Sequence, residues 1–198
     1  MLRSPLALLL SALLLGACAT APASRFYLLD PLAVAPTEKT VATDYRLGIG
    51  TISLPDYLNR QQLVIRGAGG RLLIRDGERW GEPLEDSVRR VLGENLGRLL
   101  GPGKLVFLPA PSGITVNNRL QLEITAFEAS ADNEVRLNAR WSLSRTQGVS
   151  TLRESRIVLA MKADDASAMV TAMNQALLQL ASEIAAESSG VGQLTQTR

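Results

Sequence analysis

The sequence has no histidine, one cysteine and little net charge, and each of these scarcities excludes a class of function. Without histidine there is no Ser-His-Asp or Cys-His catalytic group and no histidine-based metal site. A single cysteine excludes an intramolecular disulfide and a CxxC motif. A net charge of +2 on 198 residues provides no broad basic field for nucleic acid. The composition therefore favours a non-enzymatic protein that does not bind nucleic acid.

The chain also lacks a long hydrophobic run. Its apolar stretch at residues 6–15 is about ten residues long, whereas a membrane-spanning helix needs about 20. Arg3 precedes this stretch, and the small residues Gly16 and Ala17 follow it, which completes the three parts of a secretory signal. Residues 1–17 are therefore predicted to be a signal peptide. The alternative to a special role for Cys18 is an ordinary cleaved signal that happens to contain a cysteine.

The lone cysteine, Cys18, is a buried small hydrophobe, a reactive thiol or a site of attachment. Residues 15–18 (LGAC) resemble a bacterial lipobox. The resemblance implies a diacylglycerol on the Cys18 thiol, cleavage before Cys18 and an acyl chain on the new amino terminus, with no other cofactor. Ala19, rather than Asp, follows, which in such lipoproteins implies the periplasmic face of the outer membrane. More than one acyl chain provides stable anchoring.

A short tether follows the predicted anchor. The tether consists of residues 18–24, and a strand is predicted to begin directly after it, at Arg25. At about 3.3–3.6 Å per residue, this tether spans at most roughly 25 Å. The folded domain is therefore expected to lie close to the membrane.

Residues 25–187 are predicted to form a single α+β domain. Its mostly antiparallel or mixed β-sheet is covered on one face by two amphipathic helices. Residues 188–198 are polar and are predicted to be a flexible tail. Residues 67–70 (GAGG) resemble a phosphate-binding loop only superficially and are interpreted as a hairpin turn. Short strands are predicted at residues 25–29, 45–54, 63–66, 71–75 and 104–108.

Three longer strands with alternating apolar residues follow, and their polar side chains predict one wet sheet face. The first of them is expected to direct Leu120, Leu122, Ile124 and Ala126 into the core.

The first helix is predicted over residues 82–100, because its apolar residues recur along one helical face. Pro83 suits the first helical position. Asn95 lies inside the apolar stripe, so it is expected to be buried and to need hydrogen-bond partners. The favoured interpretation is that Asn95 ties down the backbone of a neighbouring loop, and the alternative is a functional polar contact.

The second helix is predicted over residues 165–187, with Asp164 or Asp165 as its cap. Met169 and Met173 share its apolar face. Core packing is the commoner use of such methionines, and a lipid groove is the alternative.

Two segments of the chain are similar to a known family: residues 54–66 (LPDYLNRQQLVIR) and residues 79–100 (RWGEPLEDSVRRVLGENLGRLL). Together with residues 27–31 (YLLDP) and the lipobox, they resemble the ABC-type transport auxiliary lipoproteins, the PqiC (YmbA) family. The resemblance implies a non-enzymatic outer-membrane lipoprotein of a lipid-transport system that maintains envelope integrity. Its implied partner is an MCE-domain protein, and a ring-like homo-oligomer would suit the mouth of a tubular partner.

The matching residues are the candidate partner contacts. Tyr57 and Leu58 form a small apolar knob that either docks a partner or folds back onto the core. Trp80 either staples the first helix to the sheet or anchors an interface. Arg60, with Arg66, Arg79, Arg89 and Arg90, is interpreted as part of a solvated surface, the alternative being contacts to lipid headgroups or an acidic partner. The candidate contacts are Leu54, Pro55, Asp56, Tyr57, Leu58, Arg60 and Trp80.

Two other functions stay open from the sequence. One is an assembly or structural lipoprotein of a different envelope machine. The other is a lipid-binding carrier with a pocket between the helices and the sheet.

Overall fold

The structure, a computed structural model, describes residues 23–33, 41, 44–145, 148 and 150–193. The predicted signal peptide, Cys18 and most of the tether lie outside these residues. Eight strands and two α-helices follow one another along the described chain, and short 3₁₀ turns lie at Asp56–Leu58 and Ala68–Gly70. The elements are β1 (Arg25–Tyr27), β2 (Leu47–Ser53), β3 (Gln62–Arg66), β4 (Leu72–Trp80), α1 (Leu84–Leu100), β5 (Leu105–Phe107), β6 (Asn118–Ser130), β7 (Glu134–Arg145), β8 (Thr151–Ala160) and α2 (Ala166–Gln193).

All eight strands belong to one mixed sheet, as the alternating patterns predict. The long strand β6 is its centre: β7 pairs with it in antiparallel orientation along most of its length, and β8 then pairs with β7. The other side of β6 is shared, because β2 pairs in parallel with its first half and β3 with its last two residues. The chain between β2 and β3 therefore passes beside the middle of β6 without forming a strand.

The helices cover one face of this sheet, and the opposite face, here called the outer face, is polar. The alternating apolar residues of β6 and β7 are buried, while Arg140 and its neighbours on the outer face are half-buried or exposed. A bulge between Ile124 and Ala126 changes the expected alternation. The prediction that Ala126 points into the core is wrong, because the extra residue moves Phe127 into the buried position opposite Leu137.

The turn at residues 67–70 joins β3 to β4 as a hairpin. Gly69 and Gly70 have φ angles of 65° and 79°, a left-handed conformation that glycine adopts without strain. The Gly67 N–H also donates to the Arg71 carbonyl across the turn, at 2.8 Å. The interpretation as a turn rather than a phosphate loop is therefore confirmed.

Helix boundaries differ slightly from the prediction. Pro83 has an extended backbone (φ −52°, ψ 131°), so it precedes α1 instead of being its first helical residue. Asp165 caps α2, since its carboxylate accepts the Ala168 N–H at 2.7 Å. The second helix continues past the predicted end at residue 187, and the buried Ser188 hydroxyl donates to the Ile184 carbonyl within it. The predicted tail of residues 188–198 is thus helical as far as Gln193.

Candidate functional site

Residues 54–60, here called the docking segment, connect β2 to β3 beside the middle of β6. Pro55 has an extended backbone and precedes the 3₁₀ turn Asp56–Leu58, whose Leu58 N–H donates to the Pro55 carbonyl at 2.9 Å. Leu58 is buried in the core, and Leu54 and Tyr57 pack against it. The segment therefore folds its own hydrophobic side chains inward and leaves Asp56 and Arg60 exposed.

A buried carboxylate holds the docking segment in place. The β6 residue Glu128 is only 2% exposed, although its register opposite Arg136 places it on the outer face. Its Oε2 accepts the Tyr57 hydroxyl at 2.7 Å and the Phe127 backbone N–H at 2.8 Å. Its Oε1 accepts Nε of Arg66 at 2.5 Å. Glu128, Tyr57 and Arg66 are called the Glu128 cluster below.

The three side chains of the Glu128 cluster reinforce one another. The Arg66 guanidinium lies 5.1 Å from the centroid of the Tyr57 ring, in cation–π geometry. Burial, and then the hydrogen bond to Glu128, raises the pKa of Tyr57 from 10.0 to about 12. The hydrogen bond to Glu128 likewise raises the pKa of Arg66 above its usual range. Arg60 extends the arrangement, because its Nε donates to the Tyr57 carbonyl at 3.0 Å.

Two of the candidate contacts are core residues. Leu58 is 3% exposed and Trp80 is 5% exposed, so neither side chain is available to a partner in this fold. The prediction that Leu58 and Trp80 contact a partner is therefore corrected. Trp80 is the last residue of β4, pairs with Tyr27 of β1, and donates its backbone N–H to the Gln61 carbonyl at 2.6 Å. Among the candidate contacts, Asp56 and Arg60 are exposed, and Leu54, Pro55 and Tyr57 are half-buried.

The predicted arginine surface is also mostly structural. Besides Arg66, Arg90 pairs with Glu82 at 2.6 Å and donates to the Leu29 carbonyl at 3.0 Å. Arg89 donates to the carbonyls of Gly50, at 3.2 Å, and Leu108, at 3.0 Å. The expectation of a solvated surface holds only in part for these three arginines, because each is half-buried and bonds to backbone carbonyls or a carboxylate of the fold.

Arg89 closes one side of an open cleft of about 460 Å³ at the edge of β2. Its guanidinium also lies 5.1 Å from the Phe107 ring centroid, and that ring occupies the space left by the missing side chain of Gly93. Because the guanidinium donates to two sheet carbonyls and lies against an aromatic ring, Arg89 joins α1 to the sheet.

A second, shallower groove of about 260 Å³ lies on the outer face near the start of the docking segment. Its polar lining includes Ser53, Glu123 and Arg140, and the exposed Leu152 stands at its rim. Glu123 and Arg140 form an ion pair at 3.6 Å across β6 and β7. The groove is therefore an exposed surface of balanced charge beside the docking segment.

Asn95 is fully buried in α1, as predicted. Neither atom of its side-chain amide has a hydrogen-bond partner among the described residues. The expectation that it ties down a loop backbone is therefore wrong, and its buried amide carries the cost of desolvation without compensation.

Met169 and Met173 lie in the core, where they are almost completely buried. Core packing, rather than a lipid groove, is therefore their role. In the part of the chain that the structure describes, no helix is both long and apolar enough to span a membrane. The same residues contain no group of three or more cysteine, aspartate or glutamate side chains placed to hold a metal ion.

Sequence reasoning missed Glu128. The available signal was a carboxylate near the end of a long apolar strand, where a buried charge would require a partner. Of the residues singled out from the sequence, Tyr57 of the docking segment and Arg66 contact Glu128. The side-chain partners of Glu128 are Arg66 and Tyr57, which lie 62 and 71 residues away in the chain, so local spacing does not reveal them.

The fold and the comparisons define the class of this protein. The family model of the ABC-type transport auxiliary lipoprotein component matches residues 27–185, so the chain belongs to this family. The chain is 27% identical over 179 residues to the intermembrane transport lipoprotein PqiC of Escherichia coli, covering 90% of this chain and 94% of the relative. PqiC of Shigella flexneri is similar to the same extent.

Solved structures have the same fold. A crystal structure of an uncharacterized protein aligns with a TM-score of 0.70 at 24% identity and covers 83% of this chain and 98% of its own. A crystal structure of a protein from Xanthomonas campestris aligns with a TM-score of 0.72 at 16% identity and covers 88% and 100%. At these identities the similarity supports the fold alone.

Proposed function

We propose that this protein is a non-catalytic subunit of an MCE-type lipid transport system, anchored at the periplasmic face of the outer membrane and contributing to envelope integrity. Membership of the transport auxiliary lipoproteins, and similarity to relatives named intermembrane transport lipoprotein, support this role. The observation that carries it is the docking segment. A stretch by which the chain resembles its family is tied to the buried Glu128 through Tyr57, while its charged residues stay exposed.

The anchor in this proposal is Cys18, carrying a diacylglycerol and an N-acyl chain. Lipobox-like residues 15–18 precede a short tether in the sequence. A mass measurement on the mature protein tests this step directly. The expected mass is that of a chain beginning at Cys18 with three acyl chains, and an unmodified Cys18 would contradict it.

The contact surface in this proposal consists of Asp56 and Arg60, which present opposite charges a few residues apart. Since the Tyr57 side chain, which lies between them in sequence, is already hydrogen-bonded to Glu128, less conformational entropy is lost when a partner binds. Charged side chains at such a rim chiefly set specificity and association rate. The partner is an MCE-domain protein, and a ring of copies at the mouth of its tube is the proposed assembly.

The test is co-purification of the lipidated protein in mild detergent with candidate MCE-domain proteins. The double variant Asp56→Arg with Arg60→Glu reverses both charges and is expected to weaken capture. The matched control is Arg156→Glu, because Arg156 is exposed on β8 and pairs only with its neighbour Glu154 among the described contacts. Capture of no MCE-domain protein would overturn the proposed partner, and equal capture by both variants would overturn the proposed surface. Native mass spectrometry of the same preparation tests the ring.

A further inference from the structure

Two apolar side chains are exposed just after the tether, one on β1 and one directly after β1. Phe26 of β1 is 65% exposed and Leu28 is 47% exposed. They occupy alternate positions, so both point away from the core, while Leu29 is completely buried and Tyr27 packs against the core. Single exposed hydrophobics are common on protein surfaces, but an adjacent aromatic and aliphatic pair beside an anchoring site has a more specific use.

The surroundings hold this pair in place without covering it. Phe26 lies opposite Arg79 of β4, and the Gly81 N–H donates to the Tyr27 carbonyl at 2.8 Å. Leu28 passes over Gly81, where an added Cβ would lie 3.2 Å from its Cδ2. The absence of a side chain at Gly81 thus leaves room for Leu28 on the surface.

Chain length limits what can reach this pair. Phe26 is eight residues after Cys18, so at most about 28 Å of extended chain joins it to the predicted acyl anchor. Arg25 is 75% exposed at its side chain despite its ion pair with Glu78, and Arg79 lies beside Phe26. Basic side chains next to apolar ones are the composition that attracts an anionic lipid surface.

We propose that Phe26 and Leu28 form a membrane foot that inserts into the headgroup region of the bilayer to which Cys18 is anchored. The inference rests on the proposed lipid anchor and deepens it by orienting the domain with its β1 edge toward the membrane. Acyl chains hold the protein at the bilayer, and the foot fixes which side faces it.

The opposite edge of the sheet provides an internal control. Leu152 of β8 is 71% exposed, similar to Phe26. The strand order places five inter-strand steps between β1 and β8, about 24 Å at the usual spacing. Interfacial side chains penetrate only about 5–10 Å, so one edge is expected to contact lipid when the other does not.

The experiment uses the full lipidated protein in vesicles of phosphatidylethanolamine and phosphatidylglycerol with brominated acyl chains, which quench indole fluorescence at short range. The variants are Phe26→Trp and Leu152→Trp, each corrected for the unsubstituted protein, in which Trp80 and Trp141 are buried. Quenching of the indole introduced at position 26 is expected to be several-fold stronger than at position 152.

Three results would contradict the proposal that Phe26 and Leu28 insert into the bilayer. With Cys18 acylated and the protein floating with the vesicles, equal quenching at the two positions would refute it while leaving the anchor intact. A blue shift of the Phe26→Trp variant that depends on protein concentration in lipid-free detergent would assign the surface to a second copy of the chain. An unacylated Cys18 would contradict the proposed anchor and the foot together, whereas capture of an MCE-domain protein is measured independently of both.

Discussion

Removal of the Tyr57 hydroxyl tests the Glu128 cluster most directly. In Tyr57→Phe, the carboxylate of Glu128 loses the donor at 2.7 Å and keeps Arg66 and the Phe127 N–H. Hydrogen bonds to charged groups contribute about 1.5–3 kcal/mol. Because Tyr57 is only half-buried, solvent screening reduces the expected loss of unfolding free energy to about 1–2 kcal/mol.

The pH dependence of this loss follows from the raised pKa of Tyr57. In the unfolded chain tyrosine ionises near pH 10, and in the folded protein Tyr57 ionises near pH 12. Its contribution to stability is therefore fully present below pH 10 and is lost as the pH rises from 10 to 12. Phenylalanine does not ionise, so the stability difference between the protein and Tyr57→Phe should shrink toward zero over this window.

The assay is urea unfolding of the protein in mild detergent, followed by far-ultraviolet circular dichroism at pH 8 and at steps from pH 10 to 12. Other ionising groups are common to both variants, so the difference isolates Tyr57. As a control, Tyr57→Phe is also made in the Glu128→Gln variant. There the acceptor is neutral, so the loss of unfolding free energy caused by Tyr57→Phe should be about 0.5–1.5 kcal/mol. A difference below about 0.5 kcal/mol at pH 8, or one that stays constant to pH 12, would refute the reasoning.

Two further predictions concern α1, and urea unfolding measures both. Gly93→Ala places a Cβ 2.3 Å from the Phe107 ring, so the ring must move away and a net loss of about 1 kcal/mol is expected. Gly97→Ala is the control, because nothing lies within 4 Å of its Cβ and better helix propensity should stabilise it by about 0.5–1 kcal/mol. Asn95→Leu removes a buried amide without partners and should raise stability by about 1–2 kcal/mol, whereas a clear loss would reveal a polar partner for Asn95.

The α+β class and the two helices were predictable because each depends on a local period. Apolar residues repeat every three to four positions in α1 and α2 and every second position in the long strands. The hairpin at residues 67–70 was predictable for a similar reason, since its glycines permit the left-handed backbone that the turn requires. Errors occurred where one residue breaks a period, as at the bulge that displaces Ala126.

The candidate site was predictable only as a segment. Residues 54–60 were singled out by resemblance, but the sequence left open whether the apolar Leu58 docks a partner or packs into the core. That distinction depends on how β2 and β3 share one side of β6. The same applies to Trp80, whose position before a helix suits both a staple and an interface anchor.

The helices and long strands of this protein, its family resemblance and the expected position of its lipid anchor can be read from the sequence, because each depends on residue types within short windows. Which charges are structural depends instead on contacts between distant parts of the chain. Glu128, Tyr57 and Arg66 meet because β3 and the docking segment pass the same stretch of β6, and a buried carboxylate is stable only where such partners converge. The fold also leaves Phe26 and Leu28 exposed, because Tyr27 and Leu29, with which they alternate, are the residues that face the core.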